Sequence, residues 1–300
     1  MSKFKLTIGI YGLENLYGGD PRGLIEVAQK AEAAGIDQLS MTDHVVMGNR
    51  TDRYPYGEFP SPPETPWLEP ITTEAAIAAA TQHIELSQGV LISPLRSAAL
   101  LAKQVGTLNA FAPGRMVMGL GTGWQREEFD ASGLPFKGRK ALMFEQIAAM
   151  KALWKSAPAS YHGEHIAFDD IYCRPAPENV PCWVGVKATP ENCASIAAVA
   201  DGWIPIEQDP AIFGQGVRDL RRAFEAAGRD PDALSVRAMV DHKFGADGVP
   251  DFQATIDTIP AMLEAGANYI EILPLYFVQD PAAFDEFFGR LAEVKSRLGA

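Results

Sequence analysis

Asp43-His44 is the pair in this chain best suited to moving a proton. An imidazole titrates near neutrality and can donate or accept a proton beside a redox ring, while the neighbouring carboxylate can hold a ring or ribityl hydroxyl. A second feature is the turn Gly121-Thr122-Gly123, which closes the apolar run Met116, Val117, Met118, Leu120. Glycines let the backbone come within contact distance of a flat ring or a phosphate, and Thr122 adds a hydroxyl and a peptide N–H. A third is Gly185-Val-Lys-Ala-Thr189, placed just before a predicted helix. Free N–H groups and the positive end of a helix dipole attract phosphate there, and Lys187 and Thr189 contribute a charge and a hydroxyl. Each has a plainer reading: a histidine bonded to a neighbouring loop, a tight glycine turn, and a strand-helix turn with Thr189 as N-cap.

Other chemistries fit less well. The glycine turn has no Lys-Ser/Thr pair as in a P-loop, and no helix opens at once behind its first glycine as in a dinucleotide fingerprint. His162-Gly-Glu-His165 has the look of a metal site but lies in an irregular stretch, and the first strand ends Ile10-Tyr11-Gly12 without ligands, so no metal is expected. Cys173, Cys182 and Cys193 form an odd set without CxxC spacing, which gives neither a disulfide framework nor a thiolate zinc site.

The elements that must position these residues alternate regularly. Strands are predicted at Lys5–Tyr11, Ile36–Thr42, Ile84–Leu91, from Met116 to the glycine turn, Cys182–Val186, Gly202–Ile206, Leu234–Val240 and Asn268–Leu273. Helices between them open on Asp20-Pro21, Ser97, Thr189-Pro190, Asp209-Pro210 and Asp280-Pro281, each a cap residue followed in most cases by proline at the first helical position. Met143, Ile147, Met150 and Trp154 recur at helical spacing as a core stripe. A helix kinked by Pro260 runs to Gly266. Two stretches break the alternation: about 47–69, rich in proline and aromatics and read as a packed flap or a surface excursion, and about 156–181, read as irregular. Eight strand-then-helix units are the number that closes a (β/α)8 TIM barrel, with a doubly wound open sheet as the alternative. In a barrel the active site lies at the C-terminal strand ends, where Asp43-His44, Gly89-Val90, the glycine turn and the Lys187 loop all fall.

At 300 residues and 47% hydrophobic the chain can bury a large core, and residues 1–300 are read as one barrel domain. No apolar run reaches membrane-spanning length and Met1-Ser-Lys-Phe-Lys is followed by no signal-peptide core, so the expectation is a soluble cytoplasmic protein. A net charge of −12 opposes any general attraction to nucleic acid or anionic lipid. Small molecules are the expected partners.

Taken together, Thr42-Asp-His-Val45, Leu86-Ser-Gln-Gly-Val-Leu-Ile-Ser-Pro-Leu-Arg96, Leu101-Ala-Lys-Gln104, GRMVMGLGTGWQREEF from Gly114, Ala152-Leu-Trp154 and Ala200-Asp-Gly-Trp-Ile-Pro205 resemble the bacterial-luciferase-like flavin and deazaflavin oxidoreductases. The likeness spans most of the chain and is greatest to members that use the deazaflavin coenzyme F420. It implies a luciferase-like TIM barrel with insertion segments, a homodimer, and an isoalloxazine-type ring in the barrel mouth. By position, the resemblance makes His44 the proton donor or acceptor and Asp43 a coenzyme contact. Gly89-Val90 matches a non-prolyl cis peptide that bulges behind the ring. Gly121, Thr122 and Gly123 would line the cofactor, and Lys187, Ala188 and Thr189 fall where its phosphate is held. The sugar-phosphate and alcohol dehydrogenase members have an Asn and an acidic residue after the glycine turn, whereas Trp124-Gln125-Arg126 follows here, and a usual glycine pair is replaced by Val186-Lys187. Three functions are consistent with this sequence: an F420-dependent hydride transfer to or from a small organic substrate, an FMN-dependent monooxygenation, and non-catalytic flavin binding.

Overall fold

A computed structural model describes residues 4–299. Short aliphatic strands form its centre. Lys5–Gly9 (β1) buries Leu6 and Ile8 and pairs in parallel with Gln38–Met41 (β2). The ladder continues through Glu85–Gln88 (β3), Met116–Gly121 (β4), Cys182–Gly185 (β5), Gly202–Trp203 (β6), Ser235–Met239 (β7) and Tyr269–Ile272 (β8), every pairing parallel. β8 returns to β1 through Lys5 opposite Tyr269, so the sheet closes into the expected eight-stranded barrel and no edge is left unpaired. Beyond β3 the chain bulges at Gly89-Val90, and Leu91–Ile92 then pairs with Leu120 and Gly121 of β4.

Helices pack around this barrel, and three start at the predicted caps, while after Asp20-Pro21 and Asp280-Pro281 the α-helices begin only at Gly23 and Phe284. Ser97 accepts the N–H of Leu100, Thr189 that of Asn192, and Asp209 those of Ala211 and Ile212, opening the helices Ala98–Phe111, Pro190–Val199 and Pro210–Ala226. Glu69 caps Pro70–Ala80 in the same way through Thr72. The predicted stripe Met143, Ile147, Met150, Trp154 lies on Arg139–Lys155 and is buried in the main apolar core. Among the described residues, no helix is long and apolar enough to cross a membrane.

Two expectations need correction. Residues 156–181 are not irregular throughout: Ala159–His162 and Ala167–Ile171 form an antiparallel hairpin, with His162 paired to Asp169 at the surface rather than to His165. Both strands of that hairpin are largely exposed, so they lack the apolar alternation by which a strand is read. Pro260 does not kink one helix but opens a second: Phe252–Ile256 ends, and Ile259–Glu264 begins with Pro260 in its first turn.

Candidate active site at the C-terminal barrel ends

His44 lies three residues beyond the end of β2 and is 6% exposed. Its Nδ1 lies 3.3 Å from Oε2 of Glu128, a fully buried carboxylate on the short helix Arg126–Ala131 that follows the glycine turn. The other oxygen of Glu128 accepts the N–H of Val45 at 2.7 Å, so one carboxylate fixes both the imidazole and the backbone behind it. A carboxylate at Nδ1 holds the ring proton there and leaves Nε2 free to accept another. Around the ring stand Trp67, Phe59 and Trp124, with centroids at 4.8, 5.8 and 6.3 Å. Trp67 and Phe59 come from the 47–69 segment, which is therefore a packed flap lying over His44. The flap is tied down by Gln125, whose side chain bonds both the N–H and the carbonyl of Gly48.

Asp43 points the other way. Its side chain is wholly buried, accepts the N–H of Ile92 at 2.8 Å, and receives both terminal nitrogens of Arg96 at 2.6 and 3.0 Å. Arg96 also reaches Glu69 at 3.0 Å, linking the far end of the flap to the end of β2. The peptide Gly89-Val90 is cis, as the resemblance implies. A methyl group at Gly89 would lie 2.5 Å from Ser40 Oγ and 2.8 Å from Arg237 Nη2, so only glycine fits. The Val90 side chain in turn fills the space that a Cβ at Gly121 or Gly185 would need, at 2.2 and 2.9 Å. Gly121 thus accommodates the bulge, while Gly123 adopts φ +67°, the left-handed conformation that ends the strand. Thr122 between them is half-buried, and its hydroxyl makes only a 3.4 Å contact to the carbonyl of Gly123.

Below these residues the barrel interior is polar. Arg237 of β7 is fully buried and donates to Gln38, Ser87 and the carbonyl of Gln88, the residue just before the bulge. The Gln88 amide donates to both oxygens of Glu74 and accepts the N–H of Gly119. Burial pushes the Glu74 carboxyl up to about 8, the Gln88 amide opposing and Glu69 adding to the shift. The folded protein therefore keeps a proton on Glu74 that the unfolded chain releases above pH 4.5, and stability is lost as pH rises toward about 8. Glu74→Gln is accordingly expected to gain stability over the wild type between about pH 5 and pH 9. Urea unfolding at the two pH values checks this, and a constant difference would remove the proton from Glu74.

A cleft of about 740 Å³ opens beside β5 and β6 and is lined by the Gly185–Thr189 loop, Trp203, Glu207, Asp219 and Tyr56 of the flap. Such a volume is in the range of small-molecule and cofactor sites. Lys187 is exposed there, and Ala188 is half-buried. Thr189 serves as the N-cap of the following helix, its N–H bonded to the carbonyl of Lys187. The second Asp-His pair, Asp241-His242, takes no comparable position: His242 Nε2 accepts the N–H of Leu273, and burial pushes its imidazole down to about 4.

Of the residues singled out in the sequence, His44, Asp43, Gly89, Val90 and the glycine turn share one end of the barrel, whereas Lys187, Ala188 and Thr189 line the cleft by β5 and β6, which none of the first group lines. Glu128, Arg96, Arg237 and Glu74 were not singled out. Their partners lie 84, 53, 149 and 14 residues away, and the sequence marks only Arg96 and Glu128, which fall inside the stretches Leu86–Arg96 and GRMVMGLGTGWQREEF that carry the resemblance.

A parallel eight-stranded barrel with a histidine, a glycine turn and a ligand-sized cleft at its strand ends is the framework of luciferase-type oxidoreductases. A family profile of the luciferase-like monooxygenases matches residues 8–245, and the chain belongs to that family of enzymes. It is 34% identical over 165 residues to an uncharacterized protein of Mycobacterium tuberculosis, a match covering 54% of this chain and 58% of that one, so the chain spans little more than half the length of that relative. It is 30% identical to the F420-dependent glucose-6-phosphate dehydrogenase of Nakamurella multipartita over 76% of this chain and 65% of that one. Among solved structures, the coenzyme F420 dependent tetrahydromethanopterin reductase from Methanopyrus kandleri superposes with a TM-score of 0.71 at 15% identity, covering 96% and 98% of the two chains. The oxygenating constituent of 3,6-diketocamphane monooxygenase from Pseudomonas putida, in complex with FMN, superposes with a TM-score of 0.70 at 14% identity over 99% of each.

Proposed function

We propose that the chain, one barrel domain carrying two insertions, is a coenzyme F420-dependent oxidoreductase that transfers a hydride between the deazaflavin and a small organic substrate beneath the 47–69 flap. The observation that carries this reading is the buried His44–Glu128 pair at the end of β2, on the same barrel end as the Gly89-Val90 bulge and the glycine turn. When bound, the deazaflavin supplies the hydride chemistry. The protein residues have the remaining tasks. Thr122 and the Gly89-Val90 backbone would face the ring, and Lys187, Ala188 and Thr189 would hold its phosphate at the cleft. Asp43, already committed to Arg96 and Ile92, acts by fixing the backbone at the site. Glu128 keeps the His44 proton on Nδ1, so that Nε2 takes up or releases the proton that accompanies hydride transfer. The aromatic flap excludes water from that exchange.

The unsatisfied donors support the fit of a ligand. Ser93 Oγ, on the segment after the bulge, and Trp67 Nε1, in the ring beside His44, are buried with no hydrogen-bond partner among the described residues. Titrating the protein with F420 and with FMN, and following intrinsic tryptophan fluorescence, tests the proposal directly, since Trp124 and Trp67 both lie against His44. Tighter quenching by F420, with reduction or oxidation of the coenzyme against a substrate panel, is the expected result. Preferential FMN binding with oxygen uptake would replace it with a monooxygenase, and binding without turnover would leave a flavin carrier. The homodimer implied by the resemblance is checked by light scattering.

A further inference from the structure

A second cleft opens where the chain leaves β7 and β8. It measures about 520 Å³, within the range of small-molecule sites, and shares no lining residue with the cleft beside β5 and β6. Its walls are the 249–252 segment, the 276–279 turn and the first two turns of the terminal helix Phe284–Leu298. The floor is aromatic. Phe252 stands edge-on to Phe277 at 5.5 Å and to Phe287 at 5.7 Å, and Phe277 stacks on Phe287 at 6.0 Å. Phe287 belongs to the buried stripe of the terminal helix, with Phe284, Phe288 and Leu291, so the floor is anchored in the core and does not depend on a ligand for its shape.

The rim carries polar groups that nothing else uses. Glu286 and Arg290 are one turn apart on the helix, the spacing of an ion pair, yet they do not form one. Arg290 instead lies over Phe252, its guanidinium carbon 3.9 Å from the ring centre. A stacked guanidinium keeps its N–H groups in its own plane, where they can still donate at the edge. Among the described residues, neither Glu286 nor Arg290 has an ion-pair or side-chain hydrogen-bond partner. The neighbouring acids are committed elsewhere: Asp280 accepts the N–H of Ala282, Asp251 that of Ala254, and Asp285 pairs with Lys30 at 3.0 Å.

Charge then selects the ligand. An anion would answer Arg290 and be opposed by Glu286, and a cation the reverse. A neutral planar group with an acceptor and a donor on one edge answers both. We infer that this cleft binds an uncharged aryl carboxamide, its ring against the aromatic floor, its carbonyl oxygen accepting from Arg290 and its amide N–H donating to Glu286. The site stands apart from His44 and from the Lys187 loop, so its test involves neither coenzyme nor turnover.

The test titrates the full chain with three probes of one shape, 2-naphthamide, 2-acetylnaphthalene and 2-naphthoate, each followed by ligand-observed NMR. The amide is expected to bind about tenfold more tightly than the ketone, which has no donor for Glu286, and than the carboxylate, which Glu286 repels. Arg290→Met keeps an apolar chain over Phe252 and should weaken the amide and the ketone alike, by about tenfold. Glu286→Ala should bring the amide down to the affinity of the ketone and tighten the carboxylate. Both side chains are exposed, so neither change threatens the fold. Ala283→Trp, which fills the cleft, should abolish binding of all three. No saturable binding, equal affinity for the three probes, tightest binding of the carboxylate in the wild type, or amide binding that survives Ala283→Trp would each overturn the inference.

Discussion

His44→Ala is expected to lower turnover by about 10²–10⁴-fold while coenzyme affinity stays within a few-fold of the wild type. Among the described residues at the end of β2, the imidazole is the group placed to exchange a proton, because Asp43 is occupied by Arg96 and Ile92. The proposed coenzyme contacts, in contrast, come mainly from backbone of the bulge, the glycine turn and the Lys187 loop, none of which bonds to the His44 ring. Structural damage is a competing explanation that can be separated. Removing the ring leaves Glu128 buried with only the Val45 N–H, so some loss of stability accompanies the loss of rate. The double variant His44→Ala/Glu128→Gln removes that buried charge and should recover stability without recovering turnover. Glu128→Gln alone keeps a hydrogen-bonding group near Nδ1 but frees the ring to take the other tautomer, and a fall of about 10-fold with a shifted pH profile is expected. Stopped-flow measurement of coenzyme oxidation, with fluorescence titration for binding, separates the two effects. An unchanged rate in His44→Ala would take the histidine out of the mechanism.

The barrel was legible because its signals are local. Leu6 and Ile8 in β1, the apolar run of β4 and the caps at Thr189 and Asp209 are each read from a few neighbouring residues, and each element forms where those residues predict it. The strand ends then follow from topology, which is why His44 and Gly89-Val90 could be set on one rim before any coordinates. The partners that make the rim work are of another kind. Glu128 reads as one more charge on a solvated shoulder, and nothing in its sequence neighbourhood shows that it is wholly buried against His44. Arg96 follows an apolar segment and reads as the end of a strand-to-helix turn, although it clamps Asp43. The hairpin at 159–171 was missed for the opposite reason. Only Ala159, Tyr161 and Phe168 turn a face to the core while the other positions are largely exposed, so the strands leave little periodic mark.

Arg237→Leu is expected to destabilise the protein by about 3–5 kcal/mol, the cost of leaving a buried partner charge uncompensated. The guanidinium is fully buried in the barrel, donating to Gln38 at 3.0 Å, to Ser87 at 3.1 Å and to the Gln88 carbonyl at 2.7 Å. Its Nε stands 3.3 Å from Glu271 Oε2 without hydrogen-bond alignment, so that contact is electrostatic rather than bonded. Burial lowers the arginine pKa, and the neighbouring Glu271 carboxylate opposes the shift. Leucine would leave the Glu271 carboxylate in the interior with no counter-charge and the Gln88 carbonyl with no side-chain donor. Arg237→Leu/Glu271→Leu should recover much of the loss, since removing both charges removes the desolvation they impose. Arg237→Lys separates charge from shape: a single ammonium retains the attraction to Glu271 but cannot reach Gln38, Ser87 and Gln88 together. Because the Gln88 carbonyl sits one residue before the Gly89-Val90 bulge, the lysine variant is expected to fold and to bind coenzyme several-fold more weakly. Urea unfolding followed by circular dichroism, with coenzyme titration of the lysine variant, measures both effects. Wild-type stability in Arg237→Leu would mean that the barrel interior relaxes around the missing charge, and wild-type coenzyme affinity in Arg237→Lys would mean that the bulge holds its shape without this arginine.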